Sequence, residues 1–378
     1  MQLAAINWHI YLLTHSALAL GLVGACRAVP IILCSLIGGV VADVMDRRRL
    51  MMATQAVMLV CSGILALVTS RGLVHIWPIL LLTAIASAAW AFDTPARQAL
   101  VPTLVPVKDF PNAVSLSMLM FQIGLIVGPP LAGFLLASRG PGLVYAINAG
   151  SFVAVILGLA LMRAGGRPEQ SESQTPRISL EALVEGLRFV WRTPIIVQTM
   201  TLDFVATFFA SANQLLPIFA KDILQVGAQG YGFLGAAPAG GAIISGLVMA
   251  RLGTLKRQGR IVILAVSVYG AATIAFGLSR VFWFSLLMLA VTGAADTVST
   301  ILRHTIRQLA TPNYLRGRMT SINMIFFMGG PQLGEVEAGT MAALIGAPLS
   351  VVTGGVGCLI AAAITLMAAR NLRRYEVK

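Results

Sequence analysis

Long apolar stretches alternate with short polar connections along the whole chain. At about 20 apolar residues per crossing, they place spans at residues 3–13, 19–42, 50–69, 75–97, 113–137, 141–163, 194–220, 229–253, 260–279, 281–304, 317–344 and 347–370. The pattern predicts an all-α integral membrane protein of twelve spans in two six-helix halves. Met1 to Leu13 would reach only about 20 Å as a helix, against a hydrocarbon core of about 30 Å. The first span therefore reads as N-terminally shortened: either the native chain starts upstream or the product is truncated.

The longest polar stretch, Ala164 to Arg177, separates the halves and reads as a flexible linker. An amphipathic helix is expected after it, from Ser179 to Trp191, with Leu180, Leu183, Val184, Leu187 and Val190 on one side, suited to lying on the membrane surface. The organisation is thus an N-terminal half at 1–163, a linker with its short helix at 164–193, and a C-terminal half with a tail at 194–378. Weak repeats support duplication: Pro106 to Met118 keeps register with Pro312 to Met324, Asp93 is echoed by Asp296, and Gly21-Leu22-Val23-Gly24 by Gly232-Phe233-Leu234-Gly235. A substrate site near the midplane between halves follows from such duplication.

Composition agrees with a life in lipid, since 57% hydrophobic and 11% charged residues leave too little polar surface for a soluble globule. A net charge of +13 would suggest nucleic acid in a soluble protein. Here, however, most of the 27 Lys and Arg fall in or beside the even-numbered connections and the tail, with Arg303, Arg307, Arg316 and Arg318 flanking the connection after the tenth span. Arg71, Arg139, Lys221 and Arg280 are on the other side, and Arg27 lies within a span. By the positive-inside rule both termini are cytoplasmic, in the inner (plasma) membrane, and no nucleic-acid partner is implied. Cys26, Cys34, Cys61 and Cys358 lie inside spans without metal-ligand spacing, so packing is their expected role, and no metal site or cofactor is implied.

The connection after span 2, Gly39-Val40-Val41-Ala42-Asp43-Val44-Met45-Asp46-Arg47-Arg48-Arg49, suits a tight turn whose charges pair with neighbouring helix ends. It resembles motif A of the major facilitator superfamily, Gly-x-Leu-Ala-Asp-Arg-x-Gly-Arg-Arg. Gly39, Ala42, Asp43, Arg47 and Arg48 match, while Val44 and Asp46 depart from it. The resemblance implies a latch in which Asp43 meets Gly317 at the start of span 11 and Arg97 of span 4; the plainer alternative is that Arg47 to Arg49 only set orientation. In span 5, Gly124-Leu125-Ile126-Val127-Gly128-Pro129-Pro130-Leu131-Ala132-Gly133 combines small residues four apart with prolines, which allows close helix approach. It is similar to motif C, Gly-Pro-x-x-Gly-Gly, with Ala132 and Leu125 as departures. Motif C implies export; generic packing by Gly124, Gly128, Pro129 and Gly133 is the alternative. Pro95 to Pro102, Pro111-Asn112-Ala113, Leu315 to Arg318 and Gln332 to Glu335 extend the likeness to the branch of enterobactin exporters and related drug efflux permeases.

Ionisable groups inside spans are costly unless paired or wet. Asp203, nine residues after Pro194 and so about 13 Å along its span, leads as a proton-exchange candidate; hydrogen bonding to a neighbouring helix is the alternative. Asp296 and Glu335 lie nearer a membrane face, and Glu337 reads as solvated. Arg27 would meet an anionic substrate or pair with an acid such as Asp203. Gln122, Asn148, Asn213 and Gln214 are candidates for hydrogen bonds to substrate, or for holding helices together. Phe208, Phe209, Phe326, Phe327 and Met328 would form an apolar wall, or simply pack.

His9, His15, His75 and His304 are scattered, which leaves no catalytic cluster, and no GxxxxGK[ST] loop is present for nucleotide. The chain is expected to be a monomeric secondary active transporter whose partners are protons, membrane lipids and a small molecule. The expected activity is proton-coupled efflux of an amphipathic compound, siderophore or drug-like, by alternating access. Import or uniport of a small metabolite, or an inactive truncated permease, are the alternatives.

Overall fold

The computed structural model describes residues 1–73, 75–162, 180–209, 212–253, 255–312, 315–373 and 375. The linker expected at 164–177 lies outside them. Among the described residues the chain is helical and contains no strand. The first helices are α1 (Gln2–Thr14), α2 (Ala17–Val44), α3 (Arg47–Ser70), α4 (Ile76–Leu104), α5 (Phe110–Arg139) and α6 (Pro141–Leu161). There follow α7 (Leu180–Arg192), α8 (Pro194–Phe209), α9 (Leu216–Ile218), α10 (Gly227–Leu252), α11 (Gln258–Leu278) and α12 (Phe282–Ala310). The last are α13 (Arg316–Ile345), α14 (Ala347–Ala368) and α15 (Arg370–Arg373). Among the described residues, 10 helical segments are long and apolar enough to cross a membrane, with Pro194–Ile223 counted as one of them. The 30-residue α13 and the 13-residue α1 occupy the remaining expected spans.

The chain divides into two compact units, Met1–Glu172 with Val226–Ala236, and Ser173–Gln225 with Ala237–Lys378. In the first unit α2 runs along α4, and α3 packs on both α4 and α6. Leu50, Met51, Ala96, Leu100 and Leu159 form a core there. In the second unit α11 packs on α12 and α14, and α13 on α8 and α14. Leu202, Ala206, Val262, Val266, Leu302, Ile306 and Cys358 fill its centre. Bare backbone makes the closest crossings possible: a Cβ on Gly293 of α12 would strike the Pro238 carbonyl of α10, and one on Gly241 of α10 the Ala290 carbonyl.

Three expectations change. The seventh span is not one helix to residue 220. α8 stops at Phe209, and Asn213 and Gln214 sit in the tight 3₁₀ turn Ala212–Leu215, before α9 and the π-type turn Phe219–Ile223. Pro217 has no N–H to donate to a carbonyl one turn earlier, and Asn213 competes for local backbone bonds. The tenth span does not end at residue 304: α12 continues to Ala310 and carries Arg303 and Arg307 as buried side chains rather than as part of a polar connection. The short amphipathic helix does not simply lie on a surface, because Val190 of α7 packs with Ile196, Met200, Met319 and Ile322, while Leu187 and Trp191 stay exposed.

Candidate functional site

Asp46, at the position where motif A has its second Gly, caps α3 by accepting a hydrogen bond from the Arg49 amide at 3.0 Å. That cap starts α3 so that Arg47 and Arg48 point back at other helices of the first unit. Arg47 Nη1 donates to the Ala99 carbonyl near the end of α4 at 3.0 Å. Arg48 donates through Nε to the Leu159 carbonyl and through Nη2 to that of Ala160, at 2.6 and 2.7 Å. Cations at C-terminal carbonyls are favourable on both hydrogen-bond and dipole grounds. Arg48→Ala is expected to lower stability by about 1–2 kcal/mol, and Arg48→Lys should recover only part of it, because an ammonium cannot reproduce the fork. Thermal unfolding of the purified protein in detergent checks both.

Arg97 Nη2 lies 2.7 Å from Asp93 Oδ2, one turn away on α4. Asp93, buried, also accepts from Thr54 Oγ1 at 3.0 Å and from Gln55 Nε2 at 2.9 Å, so it ties α4 to α3. Sequence reasoning notes Asp93 only as half of a repeat; the signal missed is its i, i+4 spacing to Arg97. The latch expected between Asp43, Gly317 and Arg97 is not described as a contact: Gly39, Asp43 and Gly317 lie in helices but outside the residues whose surroundings are described. Phe327 and Met328 are likewise outside them.

Motif C narrows to one point. A Cβ on Gly124 would meet open space and one on Gly128 only an ordinary contact. Gly133 instead abuts Gly232 of α10, where an added Cβ would come within 2.5 Å of the Ala228 carbonyl. The close approach expected for the whole motif therefore belongs to Gly133 and to Pro129, which lies against Gly235.

Asn148 acts between helices. Its Nδ2 donates to Gln2 Oε1 and, at 3.1 Å, to Ser62 Oγ, while Ser62 donates to the same Gln2 oxygen at 3.0 Å, joining α1, α3 and α6. Gln122 is part-buried on α5, Arg27 part-buried on α2, and Gln214 buried in its turn. Phe208 stacks on Phe204 with centroids 6.1 Å apart and meets Phe209 edge-on at 5.1 Å. Phe326 meets Phe204 edge-on at 6.2 Å, so these rings form one packed cluster in the second unit.

The principal charged site is in the second unit. Asp203 of α8 and Arg303 of α12 are both buried, with Arg303 Nη2 2.8 Å from Asp203 Oδ1. Arg307 Nη1 approaches the other Asp203 oxygen at 3.7 Å. The same Arg303 Nη2 donates to Thr300 Oγ1 at 3.1 Å and faces Asp296 Oδ1 at 3.7 Å. One guanidinium nitrogen is thus shared between two carboxylates, the nearer buried and the farther 48% exposed. The partners of Asp203 are arginines that the sequence count assigns to a connection. Glu335 lies part-buried on α13.

Asp296 also opens onto a cavity of about 110 Å³ lined by Asn213, Pro238, Tyr269, Thr273, Phe276, Leu289, Thr292, Gly293 and Asp296. Irregular backbone within a spanning segment is tolerated where it borders a cavity, and Asn213 in its 3₁₀ turn lines this one. Asp296 therefore connects an accessible chamber to a buried ion pair between α8 and α12.

Long apolar helices in two units, with a charged network and a polar chamber inside one of them, mark a multi-pass membrane protein, and the family it falls in makes it a transporter. The chain belongs to the transmembrane secretion effector family of the major facilitator superfamily, which matches it over residues 1–377. It is similar to the enterobactin exporter EntS of Shigella boydii serotype 18, 26% identical over 376 residues, covering 98% of this chain and 88% of that one. The EntS protein of Escherichia coli O1:K1 matches to the same extent. Among solved structures, a bacterial homologue of the human lysosomal transporter Spinster, inward-facing and unoccupied, superposes with a TM-score of 0.78 at 16% identity, covering 100% of this chain and 96% of that one. The nucleoside transporter NupG gives 0.68 at 16% identity, with coverage of 99% and 95%. These two likenesses concern the fold.

Proposed function

We propose that the chain exports an amphipathic small molecule across the inner (plasma) membrane, with both termini cytoplasmic, by proton-coupled alternating access as a monomer. The observation that carries the coupling is Arg303 Nη2 shared between buried Asp203 and half-exposed Asp296. Asp296 is the group that exchanges protons through the cavity, and Asp203 is the fixed partner. Protonating Asp296 removes its claim on Arg303, which then engages Asp203 alone; deprotonation restores the competition. Such a two-position guanidinium is a bistable element linking α8 to α12, of the kind that biases a conformational equilibrium. The export direction is supported by the motif C stretch around Gly133 and by the similarity to EntS exporters.

The test is efflux of a fluorescent amphipathic cation and of a catecholate siderophore from energised vesicles, with wild type and Asp296→Asn. Uncoupler-sensitive uphill efflux in the wild type is expected. Asp296→Asn should abolish uphill efflux while retaining downhill exchange of the same substrate. Wild-type movement unaffected by the uncoupler would replace this reading with uniport, and accumulation in the opposite sense would replace it with import.

A further inference from the structure

The cavity beside Asp296 is a site in its own right, and its lining indicates what it takes. Thr273 Oγ1 donates its proton to the Tyr269 carbonyl at 2.9 Å, and Thr292 Oγ1 donates to the Leu289 carbonyl at 2.7 Å. Each threonine hydroxyl carries a single proton, so what both oxygens have left for an occupant is lone pairs. The Asp296 carboxylate adds acceptor oxygens, Asn213 a carboxamide oxygen and Tyr269 a phenol oxygen, while among the described residues no Lys, Arg or His lines the chamber. Phe276 and Leu289 form the apolar side.

The volume limits the occupant. At about 30 Å³ per water, a chamber of about 110 Å³ holds three or four waters. Drug-sized ligands need roughly 300 Å³ or more. The nearest opposing charge is Arg303, but its Nη2 lies 0.9 Å nearer to Asp203 than to Asp296, at 2.8 against 3.7 Å. Asp296 is therefore the less committed of the two carboxylates and the one facing the chamber.

We propose that this chamber binds a small monovalent cation through oxygen ligands, with Asp296 as the counter-charge and Thr273 and Thr292 as neutral ligands. The cation is either a free alkali ion such as sodium or the ammonium end of an amine. Occupancy weakens the hold of Asp296 on Arg303, so the cation and the Arg303 contact alternate on one carboxylate. This rests on the transporter reading of the same network and adds a ligand class to it.

The full chain, purified into lipid nanodiscs, is titrated with sodium chloride, with methylammonium chloride and, as a cation too large for the chamber, with N-methylglucamine chloride, reading thermal unfolding at constant ionic strength. Saturable stabilisation by sodium or by methylammonium, absent with N-methylglucamine, is expected. Sodium alone would identify a free ion and methylammonium alone an amine headgroup, both within the proposal. Asp296→Asn should remove the stabilisation, and Thr292→Val, which keeps the shape and removes one oxygen, should weaken the apparent affinity about tenfold. Equal responses to all three salts, or a response that survives both substitutions, would overturn the site. Uncoupler-sensitive efflux measured in sodium-free N-methylglucamine buffer separates the two ideas. Transport that continues there together with a null titration would leave proton-coupled efflux standing without the cation site.

Discussion

Asp203→Ala is expected to destabilise the folded chain by about 3–5 kcal/mol, the cost of leaving a buried charge without its partner. Arg303 is 1% exposed and Arg307 3%, and both would lose the carboxylate they face at 2.8 and 3.7 Å. Arg303 would keep only its longer carboxylate contact, with Asp296. The double substitution Asp203→Ala with Arg303→Met should recover much of the loss, since removing both charges also removes their desolvation cost. Asp296→Asn should cost far less, because its side chain is 48% exposed and its contact with Arg303 is long. Unfolding in detergent of these three variants and the wild type distinguishes an anchoring Asp203 from an exchanging Asp296. If Asp296→Asn proved the more destabilising, the roles assigned to the two acids would be reversed.

The membrane architecture was legible in the sequence because lipid imposes a simple demand: every crossing must be about 20 apolar residues of self-satisfied backbone. Asp203 stood out for the same reason, as a lone acid in an apolar run. Its partners did not. Arg303 and Arg307 lie near the end of a 29-residue helix, longer than the minimal span, and arginines there look like the basic connections that set orientation. The available signal was spacing, since Asp296, Arg303 and Arg307 are seven and four residues apart and so fall on one helical face. The broken seventh span was hidden because Ser211, Asn213 and Pro217 interrupt a stretch whose hydropathy stays high. Motif C was legible as a pattern but not as a contact, because sequence shows which residues are small and not which of them meets another helix.

That distinction sets the second large effect. Gly232→Val is expected to prevent the native crossing of α5 and α10. A Cβ there would lie 2.6 Å from the Pro129 carbonyl oxygen, 2.9 Å from Pro130 Cα and 3.1 Å from Gly133 Cα. All three are backbone atoms of α5, so no side chain can swing aside. Relief requires moving one helix against the other, which costs more than the 1–3 kcal/mol typical of overpacking by a methylene or two. Gly293→Val should do the same in the second unit, where the obstacle is the Pro238 carbonyl of α10. Gly124→Ala supplies the contrast: it lies in the same motif, yet its Cβ would meet nothing within 4 Å. Relieved of glycine's backbone entropy in a helix, it should gain about 0.5–1 kcal/mol. Yield of folded protein and melting temperature for the three variants measure the outcome. A Gly232→Val protein as stable as the wild type would mean that α10 does not rest on α5 at this point, and that the glycines of motif C serve something other than helix contact.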